Sequence, residues 1–502
     1  MKIKYHNKRK ELRVAGVMAI LCGLAMYYAV CIPPAYANNV QVAISDTNIT
    51  ALDEDILAGT LKINFKLSQD NSFIDGLTYD NMSYSDYIWV FIKYTTLPLD
   101  TSVGYKHATL IPFSGINGIS GSSVGKYYST TGEGVAGDGK GAFIKASRAG
   151  STGSMFSVLW KFTDDQVPAD AQVKIKVCAI EMVKVPTGAF YYNVGANSSN
   201  VGTYNNFTGT GAIPTLVSSA VDVPSGAVQG WPNGFNSFYI MKYEITQEQY
   251  INFLNTLSDS NQNYWFYWFP YFNYSYNPYP YFHCSIQRND TADADGGHWV
   301  IKPWKTGDPD TANRACPFLA WSYGSAYASW AGLRPVTEME FEKAARGTKG
   351  GLNKQAIYPW GNIDPLTGNS AYNPVLGTTI YQYYANFSIG SGVANVGQYL
   401  SADILRTPEQ TGASPYGVAD LAGNLYEQVI NCSSTQTPLN GDGNLHSSYL
   451  TDLAWPMSAG FGVRGGVFNA AGDGLRISNR NSISQSSYQS STFGFRCART
   501  PG

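Results

Sequence analysis

Trp330-Ala331-Gly332-Leu333-Arg334-Pro335-Val336-Thr337-Glu338-Met339-Glu340-Phe341-Glu342 holds the end of one helix and the start of another. Upstream, Phe318, Trp321, Ala326, Tyr327 and Trp330 fall at helical spacing and predict a helix over about 317–331. Gly332 stops it, because glycine adopts the left-handed backbone that closes a helix. Thr337 caps the next helix, Glu338 to Arg346, and Glu340 completes a capping box. Glu338 and Glu340 lie in its first turn, where the helix dipole favours acids, so their role is structural rather than catalytic. The same grammar stands earlier. A strand over 238–245 leads to Thr246, with Gln249 three residues on and an apolar stripe of Tyr250, Phe253, Leu254 and Leu257.

Further towards the N-terminus the periodicity becomes two. Leu61-Lys62-Ile63-Asn64-Phe65-Lys66-Leu67 alternates as a half-buried strand does, and Ile88-Trp89-Val90-Phe91-Ile92 is unbroken, as in a central strand. Val40 to Ile44, Phe143-Ile144, Met155 to Phe162 and Val173 to Ile180 add strands between Gly- and Ser-rich stretches. Residues 38–180 therefore read as an all-β sandwich, a binding or spacer module. Gly121-Ser122-Ser123-Val124-Gly125 spells a serine-nucleophile string, but no helical pattern follows it, so it reads as chance.

Only 14% of the 502 residues are charged, while 51 are Gly, 36 Tyr and 11 Trp. That excludes a charge-rich disordered chain and a coiled coil, and points to strands and long loops. Six basic residues (Lys2 to Arg13), an apolar run from Val14 to Ile32 and Ala35-Tyr36-Ala37 read as a secretory signal of the bacterial kind over residues 1–37. The expected location is secreted, periplasmic or cell-surface, with membrane contact only through that segment if it is uncleaved. Removing its six of 34 basic and one of 36 acidic residues leaves 28 and 35, net −7. No basic run remains to neutralise phosphates, so a nucleic-acid partner is not expected.

Six blocks occur in order: Phe238 to Thr246, Trp330 to Glu342, Tyr358-Pro359-Trp360-Gly361-Asn362, Asp420-Leu421-Ala422-Gly423-Asn424-Leu425-Tyr426-Glu427, Arg464-Gly465-Gly466 and Gly494-Phe495-Arg496-Cys497. Together they make residues 181–502 resemble the formylglycine-generating enzyme family, the sulfatase-modifying factor domain. The resemblance implies a loop-rich C-type-lectin-like fold. It also implies oxidation of a sulfatase cysteine by two copper-binding cysteines soon after Arg-Gly-Gly, soft ligands that suit Cu(I). Here Val467 to Thr492 contains no Cys, and Val467 stands where a serine is common. The five His are scattered, so the three-His iron site of a related branch has no counterpart either. No copper or iron is expected.

The family's calcium loop has counterparts residue by residue. Asp420 and Glu427 supply carboxylates, and Gly423 and Leu425 supply carbonyls, a hard oxygen set that suits Ca²⁺. The alternative is a metal-free turn. A second calcium loop after Ala385-Asn386-Phe387 lacks its acid, with Leu400 at that place. The small polar stretch 469–491 corresponds to the exposed binding face of lectin-like folds, with Asn469, Asp473, Arg476, Asn479, Arg480 and Tyr488 as candidate contacts to a protein or glycan ligand. Between Tyr264 and Phe282, 13 of 19 residues are aromatic. That insert is either a self-packed loop or an exposed platform. Expected disulfides are Cys284–Cys316 and Cys432–Cys497, with Cys178 free.

The resulting expectation is an α+β chain: a β-sandwich followed by a non-catalytic sulfatase-modifying-factor-like domain that presents a binding surface. A formylglycine-generating oxidoreductase and a structural surface protein are the alternatives.

Overall fold

The computed structural model describes residues 59–69, 86–112, 135–146, 154–192, 215–222, 230–266, 284–289, 291–293, 296–302, 312–348, 358–361, 385–387, 392–397, 412–432, 439–445, 455–456, 460–479 and 489–501. It also describes short strand pieces at 35–37, 40–44, 78–79, 82–83, 128–129, 371–373 and 378–380. In chain order the main elements begin with β1 (Leu61–Gln69), β2 (Asp86–Thr96), β3 (Ala142–Ala146), β4 (Ser154–Trp160), β5 (Val173–Val185) and β6 (Phe238–Met241). There follow α1 (Gln247–Leu254), α2 (Asp259–Phe266), α3 (Trp321–Trp330), β7 (Arg334–Pro335), α4 (Glu338–Arg346), β8 (Tyr426–Ile430), β9 (Phe461–Arg464), β10 (Phe493–Gly494) and β11 (Cys497–Arg499). The chain is α+β, with strands dominant.

The apolar run in β2 is explained by what covers it. Ile88, Val90, Ile92 and Tyr94 face Leu61, Ile63, Phe65 and Leu67 of β1 and Phe156, Val158 and Trp160 of β4. Tyr87, Trp89 and Phe91, on the opposite face, join a second core with α1 and α3. Two covered faces leave no place for polar alternation. β1, covered on one face only, keeps its Lys residues outward. Each large apolar side chain so buried contributes about 1.5–3 kcal/mol.

β5 joins the two halves of the chain. Residues 173–183 pair antiparallel with β2, and residues 182–185 pair with β6. The order β7-β11-β6-β5-β2-β3 forms one sheet with the strand at 128–129. The division expected between residues 180 and 181 thus falls inside a single strand. The N-terminal layer and the C-terminal half share a sheet rather than meeting through a linker. Trp89 and Lys93 of β2 reinforce the join. The Trp89 indole donates to Ala331 O at 2.8 Å, and Lys93 Nζ donates to Trp330 O at 2.6 Å. Burial pushes the Lys93 amine well below the usual lysine range.

Both capping boxes form. Thr246 Oγ1 accepts from Gln249 N, and Thr337 Oγ1 accepts from Glu340 N. The helix expected from 317 begins only at Trp321. Phe318 takes a left-handed backbone, φ 64°, while the N–H groups of Phe318 and Leu319 donate to Ser490 O and Phe493 O. The C-terminal segment therefore holds 317–320 outside the helix. Gly324 lies flat on Phe495, where a Cβ would overlap the ring.

The expected disulfides are not formed. Cys178, Cys284, Cys316, Cys432 and Cys497 are all buried, and none is bridged to another. Cys432 Sγ lies 3.4 Å from the Tyr192 hydroxyl, and the Cys497 N–H points at Met241 Sδ. These thiols behave as small core residues. Of the aromatic insert, residues 264–266 end α2, and 267–282 lie outside the described residues.

Candidate functional site: a buried acidic loop beneath a polar turn

The loop from Asp420 to Glu427 is bent by three left-handed residues, Asp420 (φ 56°), Gly423 (φ 83°) and Asn424 (φ 58°). Gly423 is required there, because a Cβ would overlap the Asn386 carbonyl. Asn424 is the hub. Its N–H donates to Asn386 O (2.8 Å), and its carbonyl accepts from Phe468 N (2.9 Å). Its side-chain oxygen accepts from Asn386 Nδ2 (3.1 Å) and Ala394 N (2.9 Å). Its amide donates to Glu244 Oε2 at 2.6 Å, while Glu244 Oε1 accepts from Leu425 N at 3.0 Å. The Asn386 loop, whose acidic partner is missing from the sequence, is thus held by amide hydrogen bonds.

One guanidinium is bonded to Glu427 and feels the charges of Glu244 and Asp420. Arg496 donates through Nε and Nη2 to the two oxygens of Glu427, at 2.7 Å each. Its remaining donors reach the carbonyls of Met241, Lys242 and Ala419. Asp420 Oδ2 accepts from Gly397 N at 2.5 Å. Burial pushes Glu244 well above the usual carboxylate range, and Asp420 and Glu427 add to the shift. Burial likewise raises Asp420 and Glu427. Burial disfavours the charge on Arg496, but Glu427, followed by Glu244 and Asp420, holds its pKa above the usual value.

Sequence reading singled out Asp420, Gly423, Leu425 and Glu427, and the structure brings their loop together with Glu244, Asn386, Asn424 and Arg496. Glu244 and Arg496 lay inside quoted blocks, but a single chain carries no signal of their pairing. Among the described residues no three His, Cys, Asp or Glu side chains converge as a metal site. The calcium set inferred from sequence takes only two of its four donors from carboxylates. Its fit rests on charge: when ionised, Glu244, Asp420 and Glu427 outnumber the one guanidinium among them, and buried surplus charge is costly. Against it, Glu427 already gives both oxygens to Arg496.

Above the loop, Gly423 N donates to Gly465 O, and the chain turns outward through Gly465 (φ 90°) and Gly466 (φ 79°). Val467, Phe468, Leu475 and Ile477 are buried. A short 3-10 turn, Gly472–Leu475, carries Asp473, and the Tyr358 hydroxyl donates to Gly472 O at 3.1 Å. Tyr358 and Trp360 stack with centroids 5.1 Å apart and pack with Leu475 and Ala422. Asn469 is exposed, and Arg476 and Asn479 are half-buried. Asn479 donates to Gly474 O at 3.0 Å, so it braces the turn. Arg480 and Tyr488 lie outside the described residues.

Glu338 and Glu340 serve structure. Glu340 takes both terminal nitrogens of Arg334 at 2.8 and 2.6 Å. Glu338 accepts from the Tyr192 hydroxyl at 2.8 Å and from Arg464 at 3.2 Å.

A strand-rich α+β chain with two boxed helices, a loop hubbed on Asn424 and a turn after Arg464-Gly465-Gly466 defines a loop-bearing scaffold of the C-type-lectin-like class. The family model of the sulfatase-modifying factor enzyme 1-like domain (FGE-sulfatase) matches residues 169–501, and the chain belongs to this family. A formylglycine-generating enzyme of Thermomonospora curvata is 33% identical over 139 residues, 26% of this chain and 40% of that protein. Inactive C-alpha-formylglycine-generating enzyme 2 of Mus musculus is 30% identical over 184 residues, 37% and 48% of the two chains. Serine/threonine-protein kinase pkn1 of Chlamydia pneumoniae is 26% identical over 273 residues, 53% of this chain and 33% of that protein. The chain thus spans between a third and a half of the length of these relatives.

Proposed function

We propose that this is a secreted or cell-surface protein whose sulfatase-modifying-factor domain is non-catalytic and presents a ligand-binding surface. The observation that carries the reading is the missing thiol pair: Val467 to Thr492 holds no Cys. In the described part of that stretch, buried Val467, Phe468, Leu475 and Ile477 support the turn. Without soft ligands, Cu(I) has no site at which to handle dioxygen in that segment. A relative whose name includes "inactive" supports the same direction. The binding face is assigned to the polar turn around Asn469, Asp473, Arg476 and Asn479, continuing to Arg480 and Tyr488, with a protein or glycan as ligand. Secretion is supported by the basic and apolar residues before Asn38. Among the described residues no helix is long and apolar enough to cross a membrane.

The same reading includes a structural calcium ion held by Asp420, the carbonyls of Gly423 and Leu425, and Glu427 shared with Arg496. Bound there, it supplies charge balance to the acidic loop and stiffens the turn above it.

The test is to incubate the purified protein with a sulfatase-motif cysteine peptide, copper and oxygen, and to weigh the peptide by mass spectrometry. No formylglycine is expected; its formation above the level of a protein-free control would overturn the reading.

A further inference from the structure

His107 stands directly opposite Lys93, because the short strand Lys106–His107 pairs with β2 in that register. Its ring is buried and stacks on Phe91, with centroids 5.7 Å apart and planes 4° apart. Nε2 lies 2.7 Å from Lys140 O; a carbonyl can only accept, so Nε2 carries the proton. Nδ1 is left as a buried lone pair without a hydrogen-bond partner among the described residues. The backbone of Gly443 covers that side of the ring, where a Cβ would overlap Cγ and Nδ1. The same glycine gives its carbonyl to Lys93 Nζ at 2.5 Å. Gly443 belongs to the loop 439–445, which is tied to α3 and the turn after it: Gly441 N donates to Leu333 O, and Gly443 N to Ser329 O. His107, Lys93 and Gly443 thus form one contact between β2 and the C-terminal half.

The charged groups that face the ring are all basic: Lys93 of β2, Lys140 just before β3 and Arg499 of β11. Arg499 is paired with Asp138, while Asp442 of the loop and the Cys178 thiol of β5 face Lys93. Burial, followed by Lys93, holds the imidazole well below the usual histidine range. A second proton on the ring would set an N–H against Gly443, where nothing accepts it, and a charge opposite the Lys93 amine. Both are costly in a buried site. We propose that His107 is an acid-sensitive latch: while its ring is neutral the loop 439–445 is seated on β2, and a proton on Nδ1 lifts Gly443 and unseats the loop. Because the seated form binds that proton more weakly than the open form, the latch is closed at higher pH and loosens as pH falls.

The test is hydrogen–deuterium exchange of the full chain, resolved by segment, at about pH 7 and about pH 5, the window in which histidine ordinarily takes its proton. Each rate is divided by the intrinsic rate at that pH. In the wild type the amides of 439–445 should lose protection roughly tenfold or more at the lower pH, the weight of a shift of about one pKa unit. The ladder between β1 and β4 should keep its protection, and it reports whether each variant is folded. His107→Phe keeps the stack on Phe91, and His107→Gln keeps a donor for Lys140 O. In both, protection of the loop should not change with pH. The raised carboxylates Glu244, Asp420 and Glu427 act on stability with the opposite sign, and the loop-resolved readout separates the two effects. No loss in the wild type, an equal loss in the folded variants, or a loss shared equally by the β1–β4 ladder would each overturn the proposal.

Discussion

Two buried ion clusters sit close together in the C-terminal half and differ in their charge count. In the first, Arg464 reaches Glu338 at 3.2 Å and Glu342 at 2.6 Å, and Arg346 reaches Glu342 at 2.7 Å. Two guanidiniums meet two carboxylates, and Arg464 also donates to Ile477 O at 2.6 Å beneath the polar turn. In the second, Glu244, Asp420 and Glu427 share Arg496. The balanced cluster is complete as a structural lock. Burial raises the three carboxylates of the unbalanced one above their usual range, and carboxylate repulsion adds to the rise of Glu244 and Glu427.

The largest effect is expected from Arg464→Met, which leaves buried Glu338 without a guanidinium and Glu342 with Arg346 alone. Urea unfolding should show a loss of about 3–5 kcal/mol. A loss below about 1 kcal/mol would mean that the first cluster is not the lock described. Next comes calcium. At a concentration about 100 times its dissociation constant, an ion that binds only the folded chain adds about 2.7 kcal/mol. Calcium should raise the melting temperature of the wild type and leave Asp420→Asn unmoved; an equal response in both would remove Asp420 from the ligand set.

The pH dependence sharpens the contrast further. Carboxylates raised in the folded state bind protons there that the unfolded chain has already released, so stability falls as pH rises from the ordinary glutamate range, about 4.3. That fall should appear in chelator, flatten with calcium, and be smaller in Glu244→Gln; a rise across the same window would contradict the surplus-charge description. Smallest is Tyr192→Phe, which removes one hydrogen bond from Glu338 in the balanced cluster and should cost about 1 kcal/mol by the same urea assay.

The local grammar was legible in the sequence. Thr246 with Gln249 and Thr337 with Glu340 form the boxes their spacing implies, because a cap depends on residues three apart. The family blocks led to the Asp420–Glu427 loop for the same reason of contiguity. What was not legible is long-range. β5 serves both halves because residues about 90 positions away in β2 pair with it, and periodicity is silent on partners. The start of α3 was misplaced because Phe318 answers to Ser490, not to its neighbours. The cysteines invited pairing by number, yet each is enclosed in a core that has no need of a bridge. Glu244 and Arg496 could be quoted as words but not joined as a site.

The most direct test of the missing thiol pair is an anaerobic Cu(I) titration of the folded protein against a chromogenic chelator. No stoichiometric Cu(I) should leave the chelator, and no thiolate–copper absorption should appear. One equivalent of Cu(I) held by the native chain, and released when a cysteine is replaced, would restore the oxidase reading.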